Sequence, residues 1–427
     1  MSDQLTAKIA VIGAGCSGLA VLKGLQDFGF RNMVCFEQNE EVGGNWLFSP
    51  NPSHSSVFET THIISSKKMS EFRGYPMPEE YPDYPSHLQV LEYFKNFTDT
   101  FDLKQYIRFG ARVNSINLES GKWKIKVNAE AEESFDFLIL ANGHHSVPRY
   151  PDLPGKFEGE YLHTHQFKNN MPFKGKRVLV IGGGNSACDC AVECGRVASF
   201  VSISMRRPHY IVPKFIMGKP TDIYNHEMRW VPEWIARPLR KVSLRLQIGS
   251  YRQYGLEDPD FHVKYDHPTV NSELLYFLRH GKVHPRKGIL QIAGNRVTFE
   301  DGVTEAYDVI IAATGYKIAT PFFDSSLPDY SEAEEVDLYL RMFHPDYPSL
   351  IYAGLVQPQG AIWPLVEAQA KLMANYIGGK WTLPDNVKDL IQLEMKDIKE
   401  KYLVRKRHTI EVDYHDYLHK IEAVVSS

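Results

Sequence analysis

The sequence predicts an α/β protein of two doubly wound, Rossmann-like parallel sheets, one domain inserted into the other. Two segments share one design, strand then glycine turn then helix: KIAVIGAGCSGLAVLKGLQDFG near the N-terminus and KRVLVIGGGNSACDCAVECG near the middle. In each, a short apolar run (Ile9 to Ile12, and Val178 to Ile181) suits a strand buried on both faces, and a helical pattern follows the glycines. Parallel strands need helical crossovers, so each segment opens its own sheet. Further on, RVTFEDG and YDVIIAATGY restore strand patterns, which reads as the chain returning to its first domain. The expected division is a first domain over 1–169, an inserted domain over 170–306, and the rest of the first domain with a C-terminal arm over 307–427.

The elements between these anchors follow in order. TTHIISSKKMSEFRGYPMPEEYPDYP is rich in Pro and Tyr and irregular, and an amphipathic helix begins at about Ser86. GKWKIKV and FDFLIL read as short strands. Residues from about 210 to 270, rich in Trp, Tyr and Arg, form a partly helical insertion whose Trp230, Trp234 and Tyr251 either cover a substrate or make a small satellite core. RKRHTIEVDYHDYLHKIE near the end reads as a helix or an arm packed on the surface.

Charge excludes one class of partner. With 48 basic and 52 acidic residues in 427, the chain lacks the basic stripe that nucleic acid demands. Arg237, Arg240, Lys241 and Arg245 do gather locally; a phosphate or a membrane surface fits such a run, but a solvated helix face is its default reading. The cysteines are odd in number (Cys16, Cys35, Cys188, Cys190, Cys194), include no CxxC pair and fit a reducing compartment. No apolar segment approaches the roughly 20 residues of a bilayer span, so a cytoplasmic protein is expected.

Gly13, Gly15 and Gly18 form GxGxxG directly after a strand and at a helix start, the setting that makes this pattern meaningful. The first glycine permits the turn, the second lets backbone approach a pyrophosphate, and the third allows close helix packing; the helix N-terminus presents oriented amides to the phosphates. MVCFE then ends in Glu37, whose carboxylate can accept both hydroxyls of an adenosine ribose. A second glycine turn with Gly43, Gly44 and Trp46 would bring more backbone to the same ligand, which implies a longer one, FAD. Gln38, His62, Val113 and Gln357 complete the candidate FAD set, although His62, like His144 and His145, also reads as an isolated packing or surface histidine. At the second site Gly182, Gly184 and Ala187 form GxGxxA, with Asn185 and Ser186 at the helix start. FVSISM leads into Arg206 and Arg207 where NAD would call for an acid, and a guanidinium suits the 2'-phosphate of NADP. NADPH is favoured, with NADH open as an alternative.

These motifs resemble flavin-containing monooxygenases. FEGEYLHTHQF matches that family's FxGxxxHxxxF signature through Phe157, Gly159, His163 and Phe167, just before the second glycine motif. EVGGNW, RGYPMPEEYPDYP and the ATGY of Ala313 to Tyr316 follow the family order, so the resemblance covers nearly the whole chain. Within it His163 looks like a structural residue in a linker between domains, and Gly315 looks like a point of close approach to the flavin region. The resemblance implies an NADPH-dependent oxidoreductase in which reduced FAD takes up O2 as co-substrate, forms a flavin hydroperoxide and oxygenates an amine nitrogen, a sulfide sulfur or an indole. It also brings a homodimer into consideration. The cofactor carries the hard chemistry, so neither a catalytic triad nor a metal cluster is expected.

One departure stands out. In HIISSKKMSEF, matching Lys67 and Met69 to the family puts Ile64 where amine- and sulfide-oxidising members carry an asparagine. Isoleucine cannot donate a hydrogen bond. Ser65 or Ser66 substitutes, or the peroxide leaks, or the substrate class differs. Baeyer-Villiger ketone oxidation, an uncoupled NADPH oxidase and an inactive flavin-binding redox sensor remain the alternatives, while a disulfide reductase lacks its cysteine pair.

Overall fold

The computed structural model describes residues 4–51, 54–260, 268–401 and 410–426. The elements used below are, in chain order, β1 (Ile9–Ile12), α1 (Cys16–Phe28), β2 (Met33–Phe36), α2 (His87–Thr100), β3 (Ile107–Arg108), β4 (Val113–Glu119), β5 (Lys122–Val127) and β6 (Phe137–Leu140). They continue with β7 (Glu160–His163), β8 (Arg177–Ile181), α3 (Asn185–Val197), β9 (Phe200–Ser204), α4 (Glu233–Ile248), β10 (His284–Arg286), β11 (Val309–Ala312), β12 (Leu350–Tyr352), α5 (Trp363–Ile377) and α6 (Tyr414–Ser426).

The chain forms two compact units, one from 1–48, 67–147 and 317–427, the other from 49–66 and 148–316. In the first unit a five-stranded sheet runs β12-β6-β1-β2-β3, every neighbouring pair parallel. The apolar run that predicts β1 is buried along its whole length, as a strand covered on both faces must be. With β2 on one side of β1 and β6 on the other, strand order reverses at β1, the switch point where such sheets bind ligands. Helix α2 starts where expected because Ser86 and Gln89 make a capping box: the Gln89 N–H donates to the Ser86 hydroxyl and the Ser86 N–H to the Gln89 side chain. Gly24 on α1 allows α5 to pack close, since a Cβ there would stand 2.9 Å from that of Ala370.

The second unit repeats the plan. Its parallel sheet runs β7-β11-β8-β9-β10, with β8 at the switch. Val178, Val180, Ile203, Val309 and Ile311 pack on one face with the buried thiols of Cys188, Cys190 and Cys194, and Leu179 and Ile310 pack on the other with Phe299 and Tyr307. The return to the first unit comes at Lys317 and not at 307: the strand in YDVIIAATGY is β11, inserted between β7 and β8 of the second sheet. Its apolar run suits any doubly buried strand and carries no mark of which sheet receives it. The second unit likewise begins at Pro148, ahead of 170, because β7 and the strand Gly155–Phe157 pair within it. Segment 49–66 also belongs to it, and with it His62, Ile64, Ser65 and Ser66.

The insertion divides its aromatics. Tyr251 is buried in the core of the second unit, its hydroxyl donating to the Ile211 carbonyl, whereas Trp230 and Trp234 are each 78% exposed and form no satellite core. At the C-terminus Glu411–Val412 pairs with Gln357–Pro358, and α6 buries Tyr417, Leu418 and Ile421. Tyr417 is held inside: Gln369 donates to its hydroxyl, which donates to the Leu340 carbonyl. The basic start of the predicted arm, 405–409, lies outside the described residues.

Candidate functional site

The first candidate site is built at the C-terminal end of β1. Gly13 has φ +101°, and a Cβ there would lie 2.7 Å from the Ala141 carbonyl oxygen. Gly18 sits under the same turn, where a Cβ would come within 1.9 Å of the Gly13 carbonyl oxygen. Gly15 caps α1 and faces Gly44: a Cβ on Gly44 would approach the Gly15 Cα to 2.8 Å. The Gly43 N–H donates to the Ala14 carbonyl. The two glycine turns thus touch backbone to backbone, with the first turn of α1 at their edge.

Glu37 follows β2 and is buried. One carboxylate oxygen accepts the Ala14 N–H at 2.8 Å; the other accepts the Asn39 N–H at 2.9 Å and the Asn39 amide at 2.6 Å. A carboxylate accepts about four such bonds, so capacity remains for a hydroxyl. Asn39, which fixes this carboxylate, is a residue that motif reading missed; its signal was an amide two positions past the acid. Trp46 packs edge-on against Trp363 at 6.2 Å. Gln38 is exposed, Val113 opens β4 half-buried, and Gln357 donates its backbone N–H to the Ile410 carbonyl.

In the second unit Gly182 has φ +140° and a Cβ there would meet the Ala313 carbonyl at 2.5 Å. Gly183 is equally constrained, because the His209 ring lies where its side chain would go. Gly184 caps α3. Asn185 spends its side-chain oxygen on the Val270 N–H, leaving its amide to donate, and Ser186 is exposed beside it. A cavity of about 20 Å³, lined among others by Ser186, Cys190, Thr164 and Tyr316, has room for about one water and for no ring system. Arg206 and Arg207 come directly after β9 and are exposed.

His163 ends β7, wholly inside the second unit and not in a linker. Its Nδ1 accepts the His165 N–H at 3.1 Å, and its ring meets those of Tyr150 and Tyr316. Burial pushes its pKa down to about 4, and neighbouring His165 adds to this. The ring is therefore neutral at neutral pH. Gly315 has φ +83°, but a Cβ there would meet nothing within 4 Å, so the turn, and not a close approach, requires glycine.

Ile64 is 38% exposed, and its neighbours are tied to the insertion: the Lys214 ammonium donates to the Ile63 carbonyl at 3.4 Å and the Ser66 N–H donates to Asp222 at 2.6 Å. Ser66 is fully buried, Ser65 half-buried, and His62 is exposed with its Nδ1 2.9 Å from the Thr60 carbonyl oxygen. Lys214 and Asp222 lie some 150 residues away in sequence, and no local pattern announces them.

The model of the family described as flavin-binding monooxygenase-like matches residues 6–427. The chain belongs to that family. As a flavin-binding monooxygenase it is an oxidoreductase that uses molecular oxygen. Among its relatives are flavin-containing monooxygenase 5 of Mus musculus, 34% identical over 98% of this chain and 82% of that protein, and the N-oxide-forming dimethylaniline monooxygenase 2 of Rattus norvegicus, with the same identity and coverage. Solved structures sharing the fold of this monooxygenase include S-allyl-L-cysteine S-oxygenase from Allium sativum (TM-score 0.75, 22% identity, covering 98% of this chain and 88% of that one). Another is cyclohexanone monooxygenase from Rhodococcus sp. Phi1 bound to NADP+ (TM-score 0.74, 17% identity, 98% and 97%).

Proposed function

We propose that the chain oxygenates a soft nucleophile, an amine nitrogen or a sulfide sulfur, using FAD held by the first unit and NADPH held by the second. The observation carrying the assignment of cofactors is the contrast after the strand that follows each glycine-turn helix, β2 and β9: a buried carboxylate, Glu37, in one and an exposed guanidinium pair, Arg206 and Arg207, in the other. A carboxylate accepts ribose hydroxyls; a guanidinium takes a 2'-phosphate. The second glycine turn against Gly15 extends the first cradle along a longer ligand, which favours FAD there.

The bound flavin supplies electron exchange with a nicotinamide and the activation of O2, which no side chain provides. The chain's own residues bind and orient. The backbone of Gly13 to Gly15 and the start of α1 would take one pyrophosphate, the start of α3 the other, and Glu37 the adenosine ribose. Ile64 offers an apolar side chain and no donor, on a segment held by Lys214 and Asp222. The names of the relatives, N-oxide-forming and S-oxygenase, support the substrate class.

Two measurements test this reading. Substrate-dependent oxygen uptake with N,N-dimethylaniline or a simple thioether should give a product heavier by one oxygen atom; complete recovery of the oxygen as hydrogen peroxide would overturn the oxygenase. Replacing both arginines (Arg206→Ala, Arg207→Ala) should raise KM for NADPH at least about tenfold and leave that for NADH unchanged. Equal changes for both nucleotides would remove the phosphate assignment.

A further inference from the structure

A buried run of hydrogen bonds joins α6 to the ligand end of the first sheet. Asp413 sets where α6 begins, its carboxylate accepting the His415 and Asp416 N–H groups as an N-cap does, and so places Tyr417 in the first turn. The Tyr417 hydroxyl donates to the Leu340 carbonyl at 2.7 Å and accepts the Gln369 amide at 2.6 Å. The Gln369 side-chain oxygen in turn accepts the Gly354 N–H at 2.8 Å. Both side chains are buried, and a buried polar network in which each member is satisfied fixes one arrangement of the groups it joins.

Both ends of the run are special points of the backbone. Leu340 and Arg341 are buried with φ +52° and +58°, left-handed values that strain a bulky residue and persist only where the surroundings hold them. Gly354 has φ +72° and lies just past β12, at the end of the parallel sheet where β1 makes its glycine turn; a Cβ there would collide with the Ser17 hydroxyl in the first turn of α1. The chain that continues from Gly354 meets the C-terminal segment again. Gln357 and Pro358 pair with Glu411 and Val412, and a Cβ on Gly360 would stand 3.4 Å from that of Tyr414. Farther along, Trp363 packs on Trp46, which follows Gly43 and Gly44. Residues 353–363 therefore run from the first turn of α1 to the second glycine turn, and residues 410–417 hold them on the way.

We propose that Gln369 and Tyr417 are positioning residues of the flavin site: the pair ties the turn at Gly354 to the C-terminal helix and so fixes the wall that 353–363 makes beside the glycine turns. The inference rests on the placing of FAD in the first unit, and both residues act through the backbone of Gly354. The test compares flavin-loaded full chains carrying Tyr417→Phe, Gln369→Leu, both changes, or Tyr376→Phe. Tyr376 shares helix α5 with Gln369, but its hydroxyl donates to the Pro348 carbonyl, at the opposite end of β12. Tyr417→Phe should release FAD at least about tenfold faster than the parent, followed as the rise of flavin fluorescence on dilution. It should also alter the visible circular dichroism of the flavin that stays bound. The double variant should release FAD no faster than Gln369→Leu alone, since one broken link severs the run. Tyr376→Phe, which removes a hydroxyl-to-carbonyl bond of the same kind, should keep the parent's release rate and dichroism. Parent-like release and dichroism in Tyr417→Phe would overturn this proposal alone. Equal acceleration by Tyr376→Phe would overturn it too, because any lost hydrogen bond would then suffice. A parent chain that takes up no FAD would overturn the flavin assignment and this proposal with it.

Discussion

At the third position of the two glycine motifs the units differ: Gly18 in the first, Ala187 in the second. A Cβ on Gly18 would lie 1.9 Å from the Gly13 carbonyl oxygen, a backbone atom that cannot move aside. Ala187 is fully buried, yet its methyl stands 3.3 Å from where a Cβ on Gly182 would be, so this turn has room for it. The third position thus reports how tightly a helix is drawn under its strand turn and says little about the ligand. Information about the ligand sits elsewhere, in the second glycine pair that only the first unit has and in the residues after β2 and β9. The sharpest way to break this comparison is to exchange the residues. Gly18→Ala should cost about 3 kcal/mol or more and release the flavin, while Ala187→Gly should cost only about 1 kcal/mol. Melting curves together with the flavin absorbance of the purified proteins measure both; equal losses would mean that the two turns are equally tight.

The residues after β2 and β9 sharpen the comparison from another side. Glu37 is buried and accepts three hydrogen bonds, two of them from backbone N–H groups that nothing else would satisfy if the carboxylate left. Arg206 and Arg207 are exposed. Glu37→Ala should therefore cost about 2 to 3 kcal/mol even in flavin-free protein, since it strands a buried donor. The double arginine change should stay within about 0.5 kcal/mol of the parent, its effect confined to the nucleotide. Chemical denaturation of the flavin-free proteins separates the two. A stable Glu37→Ala protein that merely binds flavin poorly would show that the acid serves the ligand and not the turn.

What is legible in the sequence follows the same division between local and distant. Both strand–glycine–helix units and the helix start at Ser86 stand in the structure where local pattern puts them, because each depends on residues within one or two turns. The destination of YDVIIAATGY does not follow from its pattern, since a doubly buried strand reads alike in either sheet. Nor does the membership of 49–66, which rests on distant bonds such as Lys214 to Ile63 and Asp222 to Ser66. Asn39 and His209 escaped notice because a short polar residue near an acid, or a histidine facing a glycine, acquires meaning only when its partner is in view.

His163 provides the finest distinction between support and catalysis. Its Nδ1 accepts the His165 N–H, so that nitrogen must be unprotonated in the folded protein and the proton belongs on Nε2. Adding a second proton would break the bond and bury a charge, in keeping with a pKa pushed down to about 4 by burial. In the unfolded chain the ring titrates near 6.5. Between these values the unfolded state binds a proton that the folded state does not, so stability should be full above about pH 6.5 and should fall as the pH drops towards about 4, by about 3 kcal/mol. His163→Asn keeps an acceptor for the His165 N–H and removes the titration; its stability should lose most of that slope, measured by denaturation at pH 7 and pH 4.5. Its oxygenation rate at neutral pH should change little, because the neutral ring only holds a turn together. A collapse of the rate at unchanged stability would give His163 a part in the chemistry, and the signature around it would then belong to the site and not to the scaffold.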